Sequence, residues 1–407
     1  MQESKRSCQA CVLHTEVPGI TINDEDICSI CENYRQFKQH EPRVKKYLLE
    51  EMGSLFKKVK KERRPYDVIV LFSGGKDSTM LLKVAKEQYH LRPLAFSVIH
   101  PLVNHTASKN MEIVAGKLNV DLIKVFPDEN VYKRVIRYGI EKGYEYGLGE
   151  FFGCDVCSFF HSWLPIQYAM KMGIPIILEG SDSSQAGEMT YWQAERVKED
   201  AKKGKKPFGR VHDLFIDALG EEYRGSVYDY DEEAVINGHY PTFISPFSFM
   251  EYDYRKNFEE IESMGLESKE FRSIYTNCSA TPFFSYFSLK RFGCVSYIKH
   301  YANEVRRGYP NLMQRSLKDT DTADVLNKEA VEHLMNEYKN VVFYVVENKL
   351  TEENITDEKR EKLVGMAPNY LRLFGEDVCN VFLNDVLQIS RYADYFNVDL
   401  NRIGAKR

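Results

Sequence analysis

Short apolar runs alternate with amphipathic segments through the first half of the chain. Four runs rich in Val, Ile, Leu and Phe predict buried strands: DVIVLFS, PLAFSVI, DLIKVFP and IPIILEGS. The segments between them predict helices: the one after DVIVLFS, KNMEIVAGKLNV, VYKRVIRYGIEKG and SFFHSWLPIQYAMKMG. Because strands that alternate with helices are typical of parallel sheets, the pattern predicts an α/β fold with a doubly wound parallel sheet.

The pattern changes on both sides of this region, and the changes suggest domain boundaries. Residues 1–40 carry few helix or strand signals, and residues 41–64 are highly charged and predict a linker helix. We expect the α/β domain to occupy residues 65–250. Residues 251–407 are aromatic-rich and charged, and they predict a mostly helical C-terminal region. The run KEDAKKGKKPFGR predicts an exposed loop.

Composition narrows the class of protein. Apolar residues make up 43% of the chain and charged residues 28%, as in ordinary globular proteins. The net charge of −5 argues against tRNA as a partner. No apolar run approaches the roughly 18–20 residues that a membrane span needs. The N-terminal segment lacks the apolar core of a signal peptide, so we expect a cytoplasmic protein without membrane contact.

The segment VIVLFSGGKDSTMLLKVAKE, residues 68–87, carries the strongest chemical signal. Its pattern predicts a strand, a glycine turn and a helix, the arrangement in which phosphate-binding loops occur. The Walker A pattern G-x-x-x-x-G-K-[ST] does not fit, because Val70 replaces its first glycine and Asp77 its final Ser or Thr. The loop therefore requires a different interpretation.

The residue types of the loop suit an anion. Gly74 and Gly75 let backbone N–H groups approach closely, and the following helix directs its N-terminal N–H groups at the ligand. Ser73 and Ser78 add hydroxyl donors, and Lys76 adds positive charge. Asp77 is negatively charged, which is unusual in an anion site, and it suggests a Mg²⁺ ligand or a helix cap. The alternative is a plain glycine turn with an Asp/Ser cap.

The fixed positions of the loop resemble the S-G-G-x-D-S fingerprint of the PP-loop ATP pyrophosphatases. The resemblance covers about residues 65–190 and implies an adenine nucleotide alpha hydrolase-like fold. It further implies that ATP is cleaved between its α and β phosphates, with Mg²⁺. At the end of the fourth predicted strand, Gly180 and Asp182 lie where related enzymes approach the nucleotide. A solvated turn is the alternative there. The implied catalytic residues are Lys76, Asp77 and Asp182. The implied nucleotide-binding residues are Ser73, Gly74, Gly75, Lys76, Asp77, Ser78, Thr79 and Gly180.

Four of the nine cysteines form two knuckles with the spacing C-x2-C-x16-C-x2-C. Two such knuckles supply four thiolates to a tetrahedral zinc ion and leave no open position. We therefore predict a structural Zn²⁺ in an N-terminal zinc ribbon. Its ligands are Cys8, Cys11, Cys28 and Cys31.

The residues around these knuckles, CQACVLHTEVPGITINDEDICSIC, resemble the opening of the N-acetyl sugar amidotransferases. SGGKDST, the lysine–asparagine pair of KNMEIVAGKLNVDLIKVFP, and YAMKMGIPIILEG extend the likeness to about residue 190. The resemblance implies conversion of an acetamido group into an acetamidino group in surface-polysaccharide biosynthesis. It also implies a small-molecule substrate such as a nucleotide-linked N-acetyl sugar. Ammonia would come from a separate glutaminase subunit.

A second cysteine set departs from that family. Cys154 and Cys157 precede a predicted helix, and Cys278 lies far downstream, as in the PP-loop tRNA thiolases, where such cysteines hold a [4Fe–4S] cluster. Three interpretations stay open: that cluster, a redox-active or persulfide-carrying pair, and buried or second-zinc cysteines. Cys294 is a substitute candidate for Cys278. Cys379 is predicted to lie in the core. His100 and His161 are candidates for acid–base groups, but a structural role is favoured for both.

The sequence therefore predicts an enzyme that adenylates a carbonyl or amide and then displaces AMP. Nitrogen transfer to an N-acetyl sugar is the first hypothesis, and sulfur transfer is the second. A protein that binds ATP without turnover is the non-enzymatic alternative.

Overall fold

The computed structural model describes residues 5–103, 105–182, 189–266, 278–308 and 327–401. The chain divides into two compact units. The first unit is drawn from residues 1–39, 148–153 and 272–407, and the second from residues 40–147 and 154–271.

The second unit is built on one six-stranded sheet. The strands are β1 Val68–Leu71, β2 Pro93–Val98, β3 Asp121–Val125, β4 Ile176–Leu178, β5 Tyr191–Trp192 and β6 Thr242–Ile244. Their order across the sheet is β3-β2-β1-β4-β6-β5, and every pair is parallel except β5 with β6. The chain runs outward from β1 through β2 to β3, then returns to place β4 on the other side of β1. The carboxyl ends of β1 and β4 therefore flank the switch point where open α/β sheets bind ligands.

Helices cover both faces of this sheet. They are α2 Glu41–Lys61, α3 Lys76–Lys83, α4 His105–Leu118, α5 Glu129–Lys142, α6 Phe152–Met172, α7 Ala194–Ala201, α8 Gly209–Leu219, α9 Glu232–Asn237 and α10 Tyr254–Ser263. On one face, buried apolar side chains of α2, α3 and α4 pack with alternate residues of β1 and β4. On the other, Phe96 of β2 meets Tyr168 of α6 edge to face at 5.0 Å. The doubly wound arrangement expected from the sequence is confirmed.

The four predicted strands are all present, and a helix, α2, occupies Glu41–Lys61 within the segment predicted as a linker. Two expectations need correction. The chain forms β5 and β6 where no strand was predicted, because strands of two and three residues give too short a pattern to detect. The predicted loop over 198–210 begins inside α7, which ends at Ala201, and α8 already starts at Gly209.

The first unit combines the N-terminal knuckles with helices. Helix α1 covers Ser29–Lys38. The later helices are α11 Thr281–Phe292, α12 Ile298–Arg307, α13 Lys328–Glu347, α14 Asp357–Gly365, α15 Pro368–Leu387 and α16 Ile389–Phe396. Four aromatic side chains of α11 are buried, so this helix belongs to the core: Phe283, Phe284, Tyr286 and Phe287. In the part of the chain that the structure describes, no helix is both long and apolar enough to cross a membrane.

Candidate functional site

The glycine loop connects β1 to α3 at the switch point of the sheet. Helix α3 begins at Lys76, and Gly75 occupies its N-cap position without a side chain to cap it. The N–H groups of a first helical turn have no partner within the helix. The sequence thus leaves these donors, and the positive end of the helix dipole, to an anionic ligand.

Gly74 fixes the path of the loop. Its φ is +71°, in the left-handed region that favours glycine. A Cβ built at this position would lie 2.2 Å from the carbonyl oxygen of Ala107 in α4. The loop therefore passes so close to the α4 backbone that only glycine fits.

Two serines hold the loop in shape. The Ser78 hydroxyl accepts from the Ser73 backbone N–H at 3.2 Å and lies 3.1 Å from the Ser73 hydroxyl. It also donates to the Gly75 carbonyl at 3.1 Å. Both hydroxyls bond to atoms between Ser73 and the first turn of α3, so each can exchange an internal bond for a phosphate oxygen. Thr79, the last residue of the predicted binding segment, is fully buried.

Lys76 and Asp77 share a partner, Tyr252, which lies 175 residues beyond Asp77. The Tyr252 hydroxyl accepts from Lys76 Nζ at 2.6 Å and donates to Asp77 Oδ1. Lys76 and Asp77 also form an ion pair, and Lys76 is buried. Tyr252 thus orients both charged groups at the start of α3.

The Tyr252→Phe variant tests this role. We expect its affinity for ATP to fall roughly tenfold, because hydrogen bonds to charged groups contribute about 1.5–3 kcal/mol. Titration calorimetry measures the change. Tyr191→Phe is the matched control, since the Tyr191 hydroxyl makes no hydrogen bond within the described chain and its ring lies at 6.3 Å from Phe249. Equal losses in the two variants would contradict the assignment.

The residues after β4 lie beside the loop helix. A Cβ on Gly180 would come within 3.2 Å of the Asp77 carbonyl carbon and the Ser78 nitrogen. Gly180 therefore permits close packing against α3. Glu179 accepts from the Ser245 hydroxyl at 2.6 Å and from Ser181. Burial raises the pKa of Glu179, and these hydrogen bonds oppose the rise.

Asp182 is buried at the same strand end, and the segment that follows it, 183–188, lies outside the described residues. Among described residues, the acidic side chains of this edge do not gather into a group of three potential metal ligands. Mg²⁺ commonly takes one or two carboxylates and completes its shell with phosphate oxygens and water. Asp77 and Asp182 fit that mode, in which ATP itself supplies the missing ligands.

The four N-terminal cysteines come together in the first unit. All four are buried, and their sulfurs lie within 4.8 Å of one another. Cys8 and Cys31 are 3.8 Å apart, and Cys11 and Cys28 are 3.7 Å apart. Sulfurs bound at about 2.3 Å to a tetrahedral zinc ion are about 3.8 Å apart. The cysteine group therefore has the spacing of a metal centre.

Hydrogen-bond donors surround these sulfurs. The Cys28 N–H donates to the Cys8 sulfur at 3.3 Å, and the Cys31 N–H donates to the Cys28 sulfur at 3.4 Å. The Arg306 guanidinium donates to Cys31 at 3.1 Å and to Cys11 at 3.7 Å. These donors offset the negative charge that four thiolates bring to a divalent ion.

We expect an Arg306→Met variant to bind zinc 10–100-fold more weakly, the usual range when a partner of the metal ligands is removed. Competition with a chromophoric chelator measures this affinity. Arg307→Met is the control, because Arg307 lies over the Tyr34 ring. An unchanged affinity in Arg306→Met would show that the guanidinium does not support the metal.

The second cysteine set lies on different units. Cys154 and Cys157 are half-buried on α6 in the second unit, whereas Cys278 belongs to the first. Cys157 faces His100, just past β2, with 3.6 Å between its sulfur and Nε2 of the ring. The sequence favours a structural role for His100 and His161 over an acid–base role, yet both lie with Cys157 in one group of potential metal ligands. Cys294 and Cys379 are buried, and burial raises the pKa of both thiols.

Comparison with known proteins gives limited matches. No protein-family model matches the chain. It is 34% identical over 118 residues to the uncharacterised protein MJ1599 of Methanocaldococcus jannaschii, a match that spans 28% of this chain and 41% of that protein.

Two solved structures are similar in part. An NMN synthetase from Francisella tularensis aligns over 56% of this chain and 73% of its own, with 13% identity and a TM-score of 0.30. The U34-tRNA thiolase NcsA from Methanococcus maripaludis, with its [4Fe–4S] cluster, aligns over 71% and 80%, with 10% identity and a TM-score of 0.31. At these scores neither likeness carries an argument about the activity of this chain.

Proposed function

We propose that the protein is an ATP-dependent transferase of the PP-loop type that adenylates a substrate carbonyl. The observation that carries the proposal is the start of α3, which follows Gly74 and Gly75 and has no side-chain cap. Tyr252 holds Lys76 beside this helix end. Backbone N–H groups, a lysine and two hydroxyls converge on one loop, as a pyrophosphate requires. Both segments of this site lie at the switch point of the sheet, beyond β1 and β4.

In this reaction the loop residues stabilise charge that develops on the departing phosphates. A substrate carbonyl oxygen attacks the α-phosphorus, the bond to the β-phosphate oxygen breaks, and pyrophosphate leaves. The glycine loop and Lys76 hold that pyrophosphate. Asp77 and Asp182 are suited to hold Mg²⁺, which supplies further charge stabilisation.

The acceptor that we favour is the acetamido group of an N-acetyl sugar. Ammonia attacks the adenylated carbon, AMP departs with the former carbonyl oxygen, and an acetamidino group remains. The motif likeness of the N-terminal knuckles and the loop supports this choice. The ammonia would come from a glutaminase subunit, and the sugar would be nucleotide-linked. Zn²⁺ in the cysteine group of the first unit has a structural role.

Assays with ATP, ammonium chloride and a panel of nucleotide-linked N-acetyl sugars test the proposal. We expect AMP and pyrophosphate in equal amounts with one sugar, and a product one mass unit lighter than that sugar. Formation of ADP and phosphate in place of AMP and pyrophosphate would overturn it.

Sulfur transfer is the second candidate. Its support is the placement of Cys154 and Cys157 three residues apart on α6, in the same unit as the loop. The resemblance to the tRNA thiolases implies a [4Fe–4S] cluster on cysteines of this set, whose open iron binds sulfur. Anaerobic purification with iron and sulfide analysis distinguishes the candidates: zinc alone favours nitrogen transfer, and about four irons and four sulfides favour sulfur transfer.

A further inference from the structure

Cys157, His100 and His161 form a second cluster of potential metal ligands, separate from the four N-terminal cysteines. Cys157 and His161 are four residues apart on α6, so they share one face of the helix. His100 follows β2 and approaches from the sheet side. One ligand atom from each residue lies within 4.8 Å of the other two.

The spacing suits a tetrahedral ion. Zinc binds thiolate sulfur at about 2.3 Å and imidazole nitrogen at about 2.0–2.1 Å, which places the two ligand atoms about 3.6 Å apart. The Cys157 sulfur and His100 Nε2 are 3.6 Å apart. The sulfurs of the four-cysteine group likewise lie at the distances expected for ligands of one tetrahedral ion.

Tyr132 supports this cluster from α5. Its hydroxyl lies 3.4 Å from the Cys157 sulfur and 3.2 Å from His100 Nδ1, and its ring stacks on the His100 ring. The Leu102 N–H also donates to Nδ1 at 3.2 Å, which places the ring proton of the metal-free form on Nε2. A metal at Nε2 would require this proton on Nδ1, with the Tyr132 oxygen as its acceptor in place of the Leu102 N–H contact. A polar partner behind a ligating histidine is usual in metal sites.

We propose that Cys157, His100 and His161 bind one divalent cation of the zinc class. Two imidazoles and one thiolate are ligands that zinc prefers, and three protein ligands leave a fourth position open, as in catalytic rather than structural zinc sites. The site lies beyond the carboxyl end of β2, the neighbour of β1, and so at the same edge of the sheet as the glycine loop. The open position would take water or a substrate oxygen.

Cobalt substitution of the full-length protein tests the proposal. The metal-free protein is titrated with Co²⁺ under anaerobic conditions, and the thiolate-to-cobalt absorption is followed. We expect about two Co²⁺ per chain, one in the four-cysteine group and one in this cluster. Cys157→Ala and His161→Gln should each bind about one. Cys154→Ala, three residues away on the same helix and outside the cluster, should bind about two.

His161→Gln guards against misfolding, since His161 is only partly buried and the change is small; circular dichroism confirms its fold. One Co²⁺ in the wild-type protein, or two in a folded His161→Gln variant, would overturn the proposal. If the protein held about four irons and four sulfides, retained in His161→Gln and lost in Cys154→Ala, the zinc proposal would be overturned in favour of a [4Fe–4S] cluster. Each result is independent of ATP turnover, so the loop proposal is tested separately.

Discussion

Gly74→Ala should abolish measurable ATP binding, with an affinity at least roughly a hundredfold lower than that of the wild-type protein. The new Cβ would lie 2.2 Å from the Ala107 carbonyl oxygen, and the backbone is left-handed at this position. The left-handed conformation alone costs about 1–2 kcal/mol in a non-glycine residue, and relief of the clash displaces the loop from its phosphate-binding path. Titration calorimetry with Mg·ATP measures the loss.

Gly116→Ala is the matched control. Gly116 is also a glycine of the second unit, it lies within α4, and a Cβ there meets no atom within 4 Å. We expect unchanged ATP binding and a gain of about 0.5–1 kcal/mol in stability, because alanine favours helix. If Gly74→Ala bound ATP as well as Gly116→Ala does, the loop would not be the phosphate site.

Cys28→Ser should remove the metal of the first unit and unfold the N-terminal segment. Structural zinc contributes roughly 10–16 kcal/mol of apparent binding free energy in small zinc domains, and a serine hydroxyl does not replace the thiolate. Cys28 also caps α1 by accepting from the Cys31 N–H. Because serine is a good N-cap, this variant removes the metal ligand while it retains the cap. Zinc analysis and limited proteolysis measure the two effects.

Cys379→Ala is the control that distinguishes the effect of metal loss from the effect of removing a buried thiol. Cys379 is buried within α15 in the same unit, but it is not a member of the cysteine group. We expect this variant to lose some thermal stability and to retain its zinc. A Cys28→Ser protein that kept a full equivalent of zinc and resisted the protease would contradict the structural role of the metal.

The sequence predicted the parts of the site that are local in the chain. SGGKDST sits between a clear strand and a clear helix, so the pattern of apolar residues located the loop at the end of β1. The cysteine spacing likewise predicted a group that the structure brings together. Both predictions depend on residues that are close in the sequence. The loop lies between two adjacent elements, and the spacing of the two cysteine knuckles is typical of a zinc site.

The sequence did not reveal the partners that come from distant segments. Tyr252 reaches Lys76 and Asp77 from beyond β6, and Arg306 reaches the cysteine sulfurs from α12. One tyrosine among 26, or one arginine in a charged helix, carries no signal of its own. These assignments depend on the tertiary fold.

The histidines show a different limit. The sequence favours a structural role for His100 and His161, because a single histidine near a strand or helix end has no specific pattern. One signal was present: His161 follows Cys157 by four residues, a spacing that places both on one helix face. His100 joins them only because β2 lies next to β1, at the side of the sheet that α6 covers.

Competition between pyrophosphate and ATP is the most direct test of the central claim that the glycine loop holds the pyrophosphate part of ATP. Mg·ATP is titrated into the wild-type protein, first alone and then with saturating pyrophosphate or with inorganic phosphate. The account predicts one ATP site per chain, from which pyrophosphate displaces ATP and phosphate does so only weakly. ATP binding that saturating pyrophosphate leaves unchanged would contradict it.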